Sequence, residues 1–405
     1  MKKMITVLLA LLIYNLTFNN CSAQWVQMSS GMGNNKEVWS LATYGNYIFA
    51  GTFLYGVYVS TNNGTNWTQT GLNNKTINCF AVIGNNIFAG ADTSGLYIST
   101  NNGTSWTQNS LHLGIFCLAV RGNDIFAGTY GGVFLSTDYG TSWVQTALNN
   151  DNVNTIAFNG NNIFAGTGNN GVYLSTNNGA NWSQTGLNNQ LVYKITVNGN
   201  NIFAGTWYSS ASACIYLSTN NGTNWNFNVS FNTEILSLAN IENNILAGTN
   251  GSGIYLSTNN GTNWIDKNQG LCYGPSPTAI LFFNNYIFIG ISGYNCWSVW
   301  RRSYTEILGI KPISEVVPSS YSLEQNHPNP FNPSTSIRYE IPKNGFVKLV
   351  IFDMLGREVE TLVNEKQNAG TYEATFNASQ YPSGVYFYRL MTDGFSDTKK
   401  MLLIK

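Results

Sequence analysis

Charge is scarce in this chain of 405 residues. Only 9% are Asp, Glu, Lys or Arg, with 19 basic and 19 acidic residues and no formal net charge. A chain without a basic surplus has little to neutralise phosphates with, so nothing favours DNA, RNA or an anionic membrane as a partner. Histidine is scarcer still, at two residues, His112 and His327. No Cys or His spacing resembles a metal site, so neither a metal nor a cofactor is expected. Long apolar runs are missing except for Ile5 to Ile13, which is too short to span a bilayer comfortably. No later segment could cross a membrane. A helical period of 3.6 is absent from residues 25–306.

The one apolar run has a clear reading. Lys2 and Lys3 precede it and the small residues Cys21-Ser22-Ala23 follow it. Residues 1–24 are therefore expected to be a secretory signal peptide, cut after Ala23. A lipidated Cys21 is the lesser alternative, because Phe18-Asn19-Asn20 lacks the small and aliphatic residues that usually precede one. Five cysteines then remain. Cys79 and Cys117 stand at a place that Ser40, Thr155 and Ser237 fill elsewhere, so they read as small core residues. Cys272 and Cys296 fall close together, and spacing alone does not pair them.

What the chain has in quantity is glycine, 40 residues, and aromatics, 14%. Both are organised by a repeat. The phrase Ser60-Thr61-Asn62-Asn63-Gly64-Thr65-Asn66-Trp67 recurs with small changes, ending at Trp106, Trp143, Trp182, Trp225 and Trp264. A spacing of about 40 residues marks a repeat architecture. Within one repeat, Thr76–Val82, Ile87–Gly90 and Gly95–Ser99 read as strands, and Trp106-Thr107-Gln108 begins a fourth. Four short antiparallel strands per unit make a propeller blade. The Asn-Gly pairs are expected to be tight hairpin turns.

Counting the second strands, from Ile48-Phe49-Ala50-Gly51 to Ile287-Phe288-Ile289-Gly290, predicts seven blades. The seventh lacks its Trp strand, while Trp25-Val26-Gln27-Met28 copies that strand with nothing before it. The N-terminal strand is therefore expected to complete the last blade and close the ring, removing an exposed edge. The expected fold is all-β: a seven-bladed propeller over 25–306, a linker over 307–320, and a small C-terminal Ig-like β-sandwich over 321–405.

The repeated phrase resembles the Asp-box, or bacterial-neuraminidase repeat, Ser-x-Asp-x-Gly-x-Thr-Trp. Asp is kept only at Asp138; the other copies carry Asn62, Asn101, Asn177, Asn220 and Asn259. An Asx side chain caps its own turn as acid or amide, and Trp packs between strands, so Trp67, Trp106, Trp143, Trp182, Trp225 and Trp264 are read as scaffold.

Composition shifts in the tail. Residues 25–306 hold 16 charged residues, whereas 307–405 hold 20 in a third of the length. The stretch Asn326 to Pro333, then Asp353-Met354-Leu355-Gly356-Arg357-Glu358-Val359, Ser383-Gly384-Val385-Tyr386-Phe387-Tyr388 and the final Lys399 to Lys405, resembles the type A C-terminal sorting domain of the type IX secretion system. The resemblance implies a Gram-negative, Bacteroidota-like host. It also implies the type IX machinery as a partner of residues 321–405, passage through the periplasm, and a secreted or outer-membrane-surface location.

A sialidase would need three arginines around one sugar carboxylate. The ring has only Arg121, Arg301 and Arg302, and the last two are neighbours on a strand, so sialidase is rejected. By topology the acids Glu37, Asp92, Asp151 and Glu234 share one face, and Asp124, Asp138 and Glu242 the other. Asp92 and Asp151 are the weak candidates for a glycosidase pair; solvated surface is the simpler reading. The first face also carries Phe53, Tyr55, Tyr130, Trp207, Tyr208, Tyr294 and Trp297, which differ between blades and are the candidate binding residues. Lys194 stands where other blades carry Ser, Thr or Cys. The expected function is a non-enzymatic binding or scaffold propeller for a glycan or a surface protein. A secreted glycoside hydrolase and an assembly-factor-like protein-binding propeller are the alternatives.

Overall fold

The computed structural model describes residues 24–33, 35–207, 214–241, 243–293, 296–308, 310–314 and 317–405. Apart from Gln24, the expected signal peptide lies outside them. Among the described residues, seven four-stranded antiparallel sheets occupy residues 26–303. They are numbered here by their innermost strands, from Val38–Tyr44 in the first to Ser276–Phe283 in the seventh. The second sheet is representative, with strands Ile77–Ile83, Asn86–Ala91, Gly95–Ser99 and Thr107–Gln108. Innermost strands touch in chain order, and the seventh touches the first, so the sheets form a closed ring. The N-terminal strand Val26–Gln27 pairs with Ser298–Ser303, setting Val26 against Arg301 and completing the seventh sheet.

Two kinds of glycine set the spacing between sheets. The first ends each Ile-Phe-Ala-Gly strand. A Cβ on Gly51 would lie 2.7 Å from Ile77, one on Gly90 2.7 Å from Ile115, and one on Gly290 2.6 Å from Val38. The first residue of the next innermost strand thus packs onto bare backbone. The second kind is the glycine of the repeated phrase. A Cβ on Gly103 would lie 2.5 Å from Phe49, and one on Gly140 2.6 Å from Phe88. Both phenylalanines belong to the preceding sheet and are wholly buried.

The repeated phrase closes on itself the same way each time. In the first copy Ser60 Oγ donates to Asn62 Oδ1 (3.0 Å), the Gly64 amide donates to Ser60 Oγ (2.9 Å), and the Asn66 amide donates to Asn62 Oδ1 (2.8 Å). Ser136, Asp138, Gly140 and Ser142 repeat the pattern with a carboxylate. Hydrogen bonds, led by the Ser142 hydroxyl, hold the Asp138 pKa down at about 2. The tight-hairpin expectation is corrected here. Asn63 and Gly64 are successive left-handed residues (φ +52° and +79°) within a longer connection, residues 61–67. The indole N–H of Trp143 donates to Asn109 of the second sheet (2.9 Å), and that of Trp182 to Thr146 of the third (3.2 Å). These tryptophans therefore tie neighbouring sheets together.

Beyond the ring, a single helical turn, Tyr304–Leu308, buries Tyr304 and Ile307 in the core of the sixth and seventh sheets. The stretch expected as a linker is a strand over Ile310–Ser314, paired antiparallel with Gly370–Asn377. It extends one of two four-stranded tail sheets. The other contains a strand the sequence pattern hid, Glu358–Gln367. Its charges lie at a sheet edge, where they discourage pairing with other chains. The tail has its own core, including Tyr339, Leu349, Phe376, Tyr388 and Met401. Cys272 and Cys296 form a disulfide with Cα atoms 5.8 Å apart, while Cys79, Cys117 and Cys214 form none. No described helix is long and apolar enough to cross a membrane.

Candidate functional site

Each innermost strand breaks register near its start, at the second residue in six sheets and the third in the seventh. The ladder jumps from Val38 to Ser40, from Ile77 to Cys79 and from Ile115 to Cys117, and likewise in the other four sheets. A bulge of this kind leaves one residue out of the ladder and re-aims its side chain. The residues so released are Trp39, Asn78, Phe116, Asn154, Tyr193, Leu236 and Thr278, one per sheet. All seven line a single cavity of about 290 Å³ where the strands converge on the ring axis.

Three of the seven are aromatic, and each is backed by a ring from the loop after its sheet's second strand. Trp39 stacks on Phe53 (4.9 Å between centroids), Phe116 meets Tyr130 edge-on (4.3 Å), and Tyr193 packs against Trp207 (5.5 Å). The polar members also bridge sheets. Asn78 Nδ2 donates to the Ile115 carbonyl (2.9 Å), Asn154 Nδ2 to Val192 (3.1 Å) and Thr278 Oγ1 to Val38 (2.6 Å). Asn78 Oδ1 is buried and has no hydrogen-bond partner among the described residues.

Lys194 gives the cavity its cation. In other sheets the third residue of the strand lies against the strand-two glycine, as Ser40 does at Gly51 and Cys79 at Gly90. At Gly205 the nearest atoms come from Ile235 and Leu238 instead. A lysine is too long for that seam, and Lys194 lines the cavity, with Nζ 5.4 Å from the Tyr193 ring centroid. Burial lowers its pKa, opposed by weaker effects from Cys117 and Cys79. Burial pushes the Cys117 thiol up to about 12 and Cys79 well above its usual value, so both are neutral.

The sequence-derived candidates divide. Trp207 and Asp92 line the cavity, and Phe53 and Tyr130 support its walls. Tyr55 holds the Lys36 ammonium 3.2 Å from its ring centroid and is not a lining residue. Trp297 is also outside the lining; its carbonyl accepts a bond from Gln27. Tyr208 and Tyr294 lie outside the described residues.

The acids on this face are loop fasteners rather than free solvated groups. Glu37 accepts from Trp39 Nε1 (3.2 Å), Asp92 from the Tyr130 hydroxyl (3.2 Å), Asp151 from Asn170 Nδ2 (2.7 Å) and Glu234 from Asn250 Nδ2 (3.0 Å). Asp151 is buried and does not share the cavity with Asp92. Arg121, Arg301 and Arg302 donate to loop carbonyls and do not line the cavity. The bulge residues were the ones missed from sequence. Their signal was a position that varies freely, just before a small residue in six of the seven repeats and before Lys194 in the other.

A larger cleft, about 710 Å³, opens between the turn of the sixth sheet and the tail strand bearing Glu360. It is wide and is walled largely by amides of the turn, so the smaller axial cavity is the better-built site. The Tyr381 hydroxyl lies 3.2 Å from Glu360 Oε2 and 3.0 Å from the Val359 carbonyl. Burial raises the Glu360 pKa from 4.5 to about 7. A carboxyl whose folded value is raised stabilises the fold fully below its unfolded value, and that contribution is lost as pH rises through the folded one. The melting temperature of the full chain should therefore fall between pH 4.5 and 7 by a component that Glu360→Gln removes. An unchanged slope in the variant would show that Glu360 is not protonated there.

Residues 326–405 match the family model described as the secretion system C-terminal sorting domain. Such a tail directs type IX export, which delivers proteins to the surface or exterior of Bacteroidota-like bacteria. No curated protein matches the chain by sequence. Among solved structures, YCF48 from Cyanidioschyzon merolae is similar at TM-score 0.55 and 14% identity, covering 70% of this chain and 99% of that one. A structure of YCF48 bound to D1 peptide gives 0.54 and 14%, over 70% and 97%. The computationally designed Ika8 protein gives 0.50 and 15%, over 67% and 85%. These likenesses establish a propeller-like fold.

Proposed function

We propose that residues 25–306 form an Asp-box-like propeller that works outside the cell as a non-enzymatic binding module, with the axial cavity as its site. The observation that carries this reading is the convergence of seven bulged residues, one from each sheet, on one cavity. A scaffold without a ligand has no need to re-aim one side chain per sheet. Three aromatic pairs supply apolar faces, while the amides of Asn78 and Asn154 and the charges of Lys194 and Asp92 supply direction. Pockets built this way, mostly apolar with a few placed polar groups, are ligand sites. The hydrolase alternative is the weaker one, because Asp92 and Asp151 are held apart by separate loop contacts. YCF48, a structural neighbour, has been solved with a peptide bound, which keeps a protein partner as the second reading.

The test is a polysaccharide and glycan-array screen of the full chain, with released sugar measured in parallel. Binding without release, lost in Trp39→Ala and Trp207→Ala, is the expected outcome. Release of sugar, abolished by Asp92→Asn, would replace the binding reading with the hydrolase. Binding that survives both tryptophan variants would move the site elsewhere.

A further inference from the structure

The cavity is polarised across its mouth. Lys194 belongs to the fifth sheet, whereas Asn78 and Asp92 belong to the second, on opposite sides of a ring of seven. No ion pair joins Lys194 to Asp92, and Asp92 is engaged by the Tyr130 hydroxyl. The thiols nearest Lys194 in charge terms, Cys79 and Cys117, are neutral and cannot balance it. Toward the second sheet the cavity is lined by the Asn78 amide, whose Nδ2 donates to the Ile115 carbonyl, and by the Asp92 carboxylate, which accepts N–H or O–H donors. Between the two lie the faces of Trp39, Phe116, Tyr193 and Trp207. A fitting ligand therefore has a negative group at one end, N–H or O–H donors at the other and a flat apolar face between.

A lipid chain would leave both Lys194 and Asp92 unanswered. A phosphate polymer would find a single cation, too few for its charge. A pyranose ring carrying a carboxylate meets all three demands, and about 290 Å³ suits one such ring rather than a long segment. Resting on the binding reading above, we propose that the axial cavity recognises a uronic acid unit of an acidic polysaccharide, with its carboxylate at Lys194 and ring hydroxyls at Asn78 and Asp92.

The experiment is calorimetric titration of the full chain with methyl β-glucuronide and with methyl β-glucoside, which differs only in carrying a hydroxymethyl group in place of the carboxylate. Wild-type protein should bind the glucuronide at least about tenfold more tightly, the size expected for one charge-assisted hydrogen bond. Lys194→Gln should erase that preference, and Lys194→Arg should restore part of it. Circular dichroism and melting of each variant separate lost binding from lost folding. If both sugars bind alike, or the preference survives Lys194→Gln, the uronate inference falls while the cavity remains a binding site. If neither sugar binds, it falls outright. A free-carboxyl tetrapeptide that binds through Lys194 better than either sugar, with its amidated form inert, would put a peptide terminus in the site instead.

Discussion

Ending the chain at Leu308 should leave the ring folded and abolish its appearance outside the cell. The cut belongs after Leu308 rather than after residue 306, because Tyr304 and Ile307 are fully buried in the ring's own core. Beyond it the described strands belong to the two tail sheets, beginning with Ile310–Ser314, which pairs with Gly370–Asn377. Those sheets enclose a separate core. Residues 326–405 carry the sorting signal, so the truncated protein should enter the periplasm and stop there. The measurement is cell fractionation with protease accessibility on intact cells. Wild-type protein should be found outside, and the truncated protein only after the outer membrane is opened. Residues 309–405 fused to a periplasmic reporter should carry it out. A truncated ring that still reached the medium would strip the tail of its sorting role here.

Replacing Gly103 by Ala should destabilise the ring by about 2–5 kcal/mol, the sum of left-handed strain and a forced overlap in a packed seam. The residue sits at φ +78°, and an added Cβ would lie 2.5 Å from the wholly buried Phe49. Phe49 belongs to the preceding sheet and is clamped within its own core, so it has nowhere to go. Gly84 is the control. Its φ is +56°, but no atom lies within 4 Å of its would-be Cβ. Gly84→Ala should therefore cost only the backbone term, about 1–2 kcal/mol. Urea melts of the two variants read the difference directly. Equal losses would mean that the Phe49 contact does not constrain the seam.

The architecture was readable because each repeat uses the same letters for the same task. Ile-Phe-Ala-Gly or a close apolar variant of it marks each second strand through its buried face, and Ser-x-Asx-x-Gly marks each turn through hydrogen bonds that only those side chains make. The unpaired Trp25-Val26-Gln27 pointed to a shared last sheet for the same reason. The site was less readable. A bulge imposes no residue type of its own, so Trp39, Phe116 and Tyr193 read as ordinary members of alternating strands, and only the loop rings behind them stood out as variable aromatics. Lys194 was visible as an exception, but its direction depends on the crowding at Gly205 by Ile235 and Leu238, which are distant in the sequence. The Glu358–Gln367 strand was obscured because an edge strand tolerates charge where an interior strand would not.

The amide turns bear on the medium the protein meets. Asn62, Asn101, Asn177, Asn220 and Asn259 fasten their loops with neutral groups, which neither titrate nor attract counter-ions. The ion pairs Arg338–Glu324, Lys348–Glu358, Arg357–Asp353 and Lys399–Asp397 all lie in the tail. Brine and fresh water should thus look alike to these five turns, while the tail's surface pairs weaken as salinity rises. Beyond the outer membrane a cell no longer controls the ionic composition, and turns fastened by amides are indifferent to that loss of control.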